Sequence, residues 1–161
     1  MYRYWKNFMN AKKIIPWSRS NLLNPIHKDD ESSHMKTQVK VPKDFCKQIL
    51  TFDKSMRYAG VADKFGKVIM AEYRKGYTPL LSNQESVLSA MRSVIIMGTR
   101  KIMQPTLGKI VYAFTLYEKV KRATIPLTNN FVLMVSFDIE AEHESIILKK
   151  ILPFIQNHGL R

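Results

Sequence analysis

The sequence predicts an α+β domain, a five-stranded antiparallel sheet flanked by helices on both faces, in the order helix-strand-strand-helix-strand-strand-strand-helix. Three observations lead there. Two strand-like runs hinge on Asp63-Lys64-Phe65-Gly66, a capping signal at Ser82 opens a long amphipathic stretch, and "FVLMVSF", residues 131–137, is apolar at nearly every position. Side chains of a strand alternate between faces, so a run apolar throughout must be covered on both sides. Hairpins joined by a helical crossover then place the sheet between two helical layers.

The first helix is expected just after Pro42, where Phe45, Cys46, Ile49 and Leu50 fall on one face. Cys46 on that face reads as a small core residue. The hairpin follows as Arg57–Ala62 and Lys67–Tyr73, with Gly66 supplying the positive φ that a tight connection needs. Small residues at Ala59, Gly60 and Ala62 imply that something packs closely on the first strand, as a helix laid across the sheet would. Ser82 and Glu85 form a Ser-x-x-Glu capping pattern. The helix it opens carries Val87, Leu88, Met91, Val94, Ile95, Gly98 and Ile102 on one face, expected against the sheet, and should run to about Met103, where Gln104-Pro105 stops it. Three strands are expected at Lys109–Tyr117, Lys119–Leu127 and Phe131–Phe137. The chain closes on an acidic lead, "DIEAEHES", and a helix with Ile146, Ile147, Ile151 and Ile155 that Pro153 should kink or end.

The domain is placed at residues 42–158, and residues 1–41 read as a basic N-terminal tail or linker, since "NLLNPIHKDDESSH" is polar and holds a proline. Trp5, Trp17 and Ile14-Ile15 argue that this tail docks somewhere, on the domain or on a partner. Met35 offers an alternative start that would make residues 1–34 an upstream extension. The single cysteine fits a reducing compartment, and neither a signal peptide nor an apolar run of membrane-spanning length is legible, so a cytoplasmic location is expected. Net charge is +13, spread along the chain: residues 1–42 hold eight basic and three acidic side chains, and only residues 138–161 are acidic on balance. Such a field favours a polyanionic partner without choosing one.

The segment "GVADKFGKVIMAE" together with the element order resembles the first hairpin and topology of the roadblock/dynein light chain family, within the profilin-like group. The resemblance covers residues 42–157 and implies a strand order 2-1-5-4-3 with "FVLMVSF" central. It also implies a non-catalytic partner of small GTPases that pairs through sheet edges and middle helices. The segments "MRYAGVADKFGKVI", "PTLGKIVYAFTLYEKVKRATIPL" and "VSFD" are similar to an archaeal domain family of unknown function, which implies an archaeal cytoplasmic protein and no activity.

Chemical motifs are sparse. No glycine-rich phosphate loop, metal-ligand spacing or converging acid-base set is legible, so neither catalysis nor a cofactor nor a metal is expected. Glu140, Glu142, His143 and Glu144 cluster, but they read more simply as an acidic helix lead. Two surfaces remain as candidates. On the middle helix Ser89, Ile96 and Met103 recur every seven residues opposite the predicted buried stripe, flanked by Arg92 and Arg100, a seam suited to a second copy. In "EKVKR", Lys119, Lys121 and Arg122 are candidates for contact with an anion or an acidic partner, or they blunt a sheet edge. The leading expectation is a homodimeric interaction or regulatory module, with a small GTPase or another signalling protein as partner. The alternative is a nucleic-acid or other polyanion binder using the tail and this basic surface. A small-molecule sensor is a third reading, since related sheet-and-helix folds hold ligands between the layers, but no residue marks a pocket.

Overall fold

The structure, a computed structural model, describes residues 41–161. The expectations for Trp5, Trp17, Ile14-Ile15 and the Met35 start lie outside the described residues. Five strands, β1 (Met56–Ala62), β2 (Val68–Tyr73), β3 (Ala113–Leu116), β4 (Lys121–Pro126) and β5 (Val132–Phe137), form one antiparallel sheet in the order β2-β1-β5-β4-β3. The central strand is β5, and all six of its residues are buried, as a run apolar on both faces requires. One face of the sheet is covered by α1 (Phe45–Leu50) and the C-terminal helix. Here Phe45, Ile49, Met56, Val61, Leu133, Phe137, Ile151 and Ile155 make a continuous core. Cys46 is buried in it. The other face is crossed by α2 (Asn83–Arg100), which opens on the expected capping box. Ser82 Oγ accepts from the Glu85 N–H, and the Glu85 carboxylate accepts from the Ser82 N–H.

The hairpin turn follows local chemistry. Asp63 Oδ1 accepts from the N–H groups of Phe65 and Lys67 at 2.9 and 3.0 Å, and Gly66 takes φ +82°. At the far end of β2, the Arg74 guanidinium donates to the carbonyls of Leu50, Asp53 and Met56, tying the hairpin to the C-terminus of α1.

Four expectations need correction in whole or in part. Pro105 does not stop a helix: it sits in the first turn of a new one, α3 (Gln104–Leu107), reached from α2 through a 3₁₀ turn over Lys101–Met103. First-turn N–H groups have no intrahelical partner, so proline loses nothing there. Of the two outcomes expected at Pro153, a kink or an end, the helix does not end, but its regular geometry is broken just before the proline. That helix runs as α4 (His143–Ile146), one π turn over Ile147–Ile151, and α5 (Leu152–Asn157), with Pro153 again in a first turn. Over β1 a helix does pack on Ala62, through Ala90 and Met97, but the space above Gly60 is filled by the ring of Tyr58, since a Cβ on Gly60 would meet the phenol oxygen.

The fourth correction concerns the phase of α2. The residues turned to the sheet are Ala90 and Met97, with Ser86, Ser89, Ser93 and Val94 half-buried beside them. Val87, Leu88, Met91, Ile95 and Ile102, expected inside, are exposed. The helix is thus rotated by roughly 100°, the step of one residue at 3.6 per turn, from the position its largest apolar residues would choose. Ala90 and Met97 fit over Ala62, Val132 and Met134. The serines face a part of the sheet that is polar.

Candidate functional site

That polar part follows from strand register. Tyr73 pairs with Tyr58, Tyr58 with Ser136, Ser136 with Arg122, and Arg122 with Thr115. Paired residues of neighbouring strands point to the same face. One row therefore crosses the whole sheet beneath α2, running from an aromatic pair through a hydroxyl and a guanidinium to a threonine. Further along the same face the rows turn small and apolar, through Gly60, Met134 and Thr124 to Ala62 and Val132. Ser136 is 9% exposed and is the one polar residue among the buried ones described.

The row forms the floor of a groove of about 850 Å³ between α2 and the sheet. Ser86, Ser89, Ser93 and Ile96 stand along the helical wall, with Arg92 and Arg100 toward solvent, and Lys119 closes the side beyond β3. Arg122 Nη1 donates to Ser89 Oγ at 2.6 Å, which joins floor to wall. Arg57 is committed elsewhere: it pairs with Asp138 at 2.9 Å and lies 4.7 Å over the Tyr77 ring, whose hydroxyl donates to the same carboxylate at 2.8 Å. Arg122, Arg92, Arg100 and Lys119 have no carboxylate partner among the described residues. The Tyr58 and Tyr73 rings lie 4.8 Å apart. Burial pushes the Tyr58 phenol up to about 12, with Arg122 pulling the other way, so it stays a neutral hydroxyl.

The structure brings some candidate residues together and parts others. Ser89, Arg92, Ile96 and Arg100 lie along one groove wall, whereas Met103 is exposed on the 3₁₀ turn beyond it. Ser89 is not on an outward face, because its hydroxyl is held by Arg122. Of the three basic residues on the β3–β4 connection and β4, Lys119 and Arg122 line the groove. Lys121 points through the sheet, and its Nζ donates to the Ala141 carbonyl at 2.8 Å. His143 also lies on that far face, stacked on Phe114 at 3.9 Å, and burial and Lys121 hold its pKa below the ordinary value. Among the described residues no group of three or more His, Cys, Asp or Glu is placed to hold a metal, and no helix is long and apolar enough to cross a membrane. Sequence reading missed Tyr58, Ser86, Ser93, Thr115 and Ser136. Of the row itself, Arg122 was the residue singled out from the sequence.

Solved structures share this fold. The roadblock/LC7 domain from Streptomyces avermitilis aligns with a TM-score of 0.53 at 10% identity, over 73% of this chain and 99% of that one. Myxococcus xanthus MglB aligns at 0.56 and 13% identity, over 78% and 94%. The gliding protein MglB from Thermus thermophilus gives 0.50 and 16%, over 71% and 76%. At such identities the likeness is one of fold: the described domain is roadblock-like. No protein-family model and no curated protein matches this sequence.

Proposed function

We propose that this roadblock-like domain is a non-catalytic regulatory module of the cytoplasm that acts as a homodimer and docks on a small GTPase or another signalling protein. The observation that supports this most directly is the phase of α2. A helix that turns serines and an alanine inward and leaves Val87, Leu88, Met91, Ile95 and Ile102 in solvent presents an apolar stripe that none of the described residues covers. Such a stripe suits helix-in-groove docking. The self-association seam combines Ile96 and Met103, with Arg92 and Arg100 at its margins, and the edge strand β3. The alternative, a nucleic-acid binder, would use Lys119, Lys121 and Arg122 as one patch, and their division between opposite faces of the sheet favours the docking reading.

Light scattering at tens of micromolar, well above the dissociation constant of a standard-sized interface, should give the mass of a dimer. Ile96→Arg with Met103→Glu should give a monomer that still melts cooperatively. A monomeric unaltered protein, or a dimer that survives both substitutions, removes this seam. For the partner, affinity capture from the native cell with the unaltered chain and with Met91→Arg and Ile95→Arg combined should show a signalling protein lost in the variant. An unchanged capture profile would mean that the stripe is not the docking surface.

A further inference from the structure

Beyond that reading, we propose that the groove between α2 and the sheet binds a small organic phosphate with an aromatic body, of nucleotide size. The groove's volume, about 850 Å³, lies within the range typical of small-molecule sites. Its floor is chemically divided: Tyr73 and Tyr58 at one end offer aromatic surface, and Ser136, Arg122 and Thr115 offer donors toward the other.

Charge selects the ligand's sign. The half-buried Arg122 has one side-chain partner, the neutral hydroxyl of Ser89, and no carboxylate among the described residues. A guanidinium held on a floor by one hydroxyl keeps further N–H donors for an incoming acceptor. Arg92, Arg100 and Lys119 stand around the opening with two carboxylates, Glu118 and Glu85, of which Glu85 is engaged by the Ser82 cap, while Asp138 behind Arg57 and Tyr77 is taken by both. Arginine's planar fork suits phosphate oxygens in particular. No glycine-rich loop is present, so the phosphate would be held by side chains and not by a backbone cradle. The serines of α2 explain themselves in this site. Ser86, Ser89 and Ser93 would be poor choices against an apolar sheet, and they line the groove together with Glu85, Leu88, Arg92, Ile96 and Arg100 of the same helix.

The test uses the full-length protein at low ionic strength with three probes: ADP, inorganic pyrophosphate and adenosine. Calorimetry should show saturable 1:1 binding of ADP below about 1 mM, with pyrophosphate weaker and adenosine weakest, because only ADP engages both ends of the groove. Amide shifts on ADP addition should map to Ser89, Thr115, Arg122 and Ser136 and spare the C-terminal helix, a readout that needs no substitution. Arg122→Gln should weaken ADP about tenfold or more, while Lys149→Gln, which removes the same charge from an exposed site on the C-terminal helix, should change it less than about twofold. Absence of saturable binding overturns the proposal. So do equal losses in the two variants or shifts spread over the basic surface, which mean charge attraction alone. Equal affinity of ADP and pyrophosphate shows a bare phosphate site without the aromatic half and overturns the nucleotide-sized ligand. A dimer that binds ADP only after Ile96→Arg with Met103→Glu dissociates it shows that a second copy fills the groove, and this also counts against the proposal.

Discussion

A side-chain carbon on Gly66 would lie 2.6 Å from the Cα of Met91, closer than carbons pack in folded proteins. The β1–β2 turn therefore presses directly on the backbone of α2, at a residue whose φ of +82° already favours glycine. Gly66→Ala should lower stability by about 2 kcal/mol or more, from left-handed strain and overpacking together. Gly76→Ala, with φ +87° and open space around it, should cost only about 1 kcal/mol. Urea unfolding of both variants separates the two terms, and equal losses would show that the contact with Met91 is relieved by a small shift.

Val61 is fully buried on β1, between β2 and the central β5. Val61→Asp places a carboxylate without a partner in that core, at a cost of several kcal/mol, comparable to the whole stability of a domain of this size. The variant should be unfolded by circular dichroism. A soluble protein with a cooperative melt would show that β1 can be displaced from the core.

The helix start at Ser82 gives a smaller, local effect. Ser82→Ala removes the acceptor for the Glu85 N–H and should cost about 1 kcal/mol, with early hydrogen exchange confined to the first turn of α2.

Burial pushes the Cys46 thiol up to about 12, with the charge of Glu72 adding to it, against an ordinary value of 9.0. The folded state thus holds this proton more tightly than the unfolded chain does. The contribution is complete below pH 9.0 and is lost as pH rises toward 12. The urea midpoint should accordingly fall more steeply above pH 9.0 in the unaltered protein than in Cys46→Ala, which removes this thiol while leaving Tyr58 in place. At neutral pH the thiol should resist disulfide reagents until the domain unfolds.

Local signals were legible where they act locally. The capping box at Ser82, the tight turn over residues 63–66 with its glycine at positive φ, and the doubly apolar β5 each specify structure within a few residues, and each is found in place. The phase of α2 was not legible, because counting large apolar residues assumes that the helix's best partner is its own sheet. Here the sheet beneath its N-terminal half is polar, and Ser86, Ser89 and Ser93 match it. The row from Tyr73 to Thr115 draws one residue from each of five strands, and its alignment depends on register, which no single segment encodes. The parting of Lys121 from Arg122 was within reach, since adjacent residues of a strand point to opposite faces.

The π turn in the C-terminal helix also makes chain length itself a structural variable. Leu152 N–H reaches back five residues to the Ile147 carbonyl, so the segment carries one residue more than a regular α-helix would need. The wider turn absorbs that residue, so Leu152 and Ile155 point as they would in a regular helix one residue shorter. Deleting Leu148, an exposed residue within the turn, should therefore close it to regular α geometry and leave α5's apolar side toward the core, whereas deleting a residue from α5 itself would turn everything downstream by roughly 100° about the helix axis. Leu148→Ala keeps the count and loses only an exposed side chain. The turn is thus a point where this helix can gain or lose one residue and keep its buried side in place.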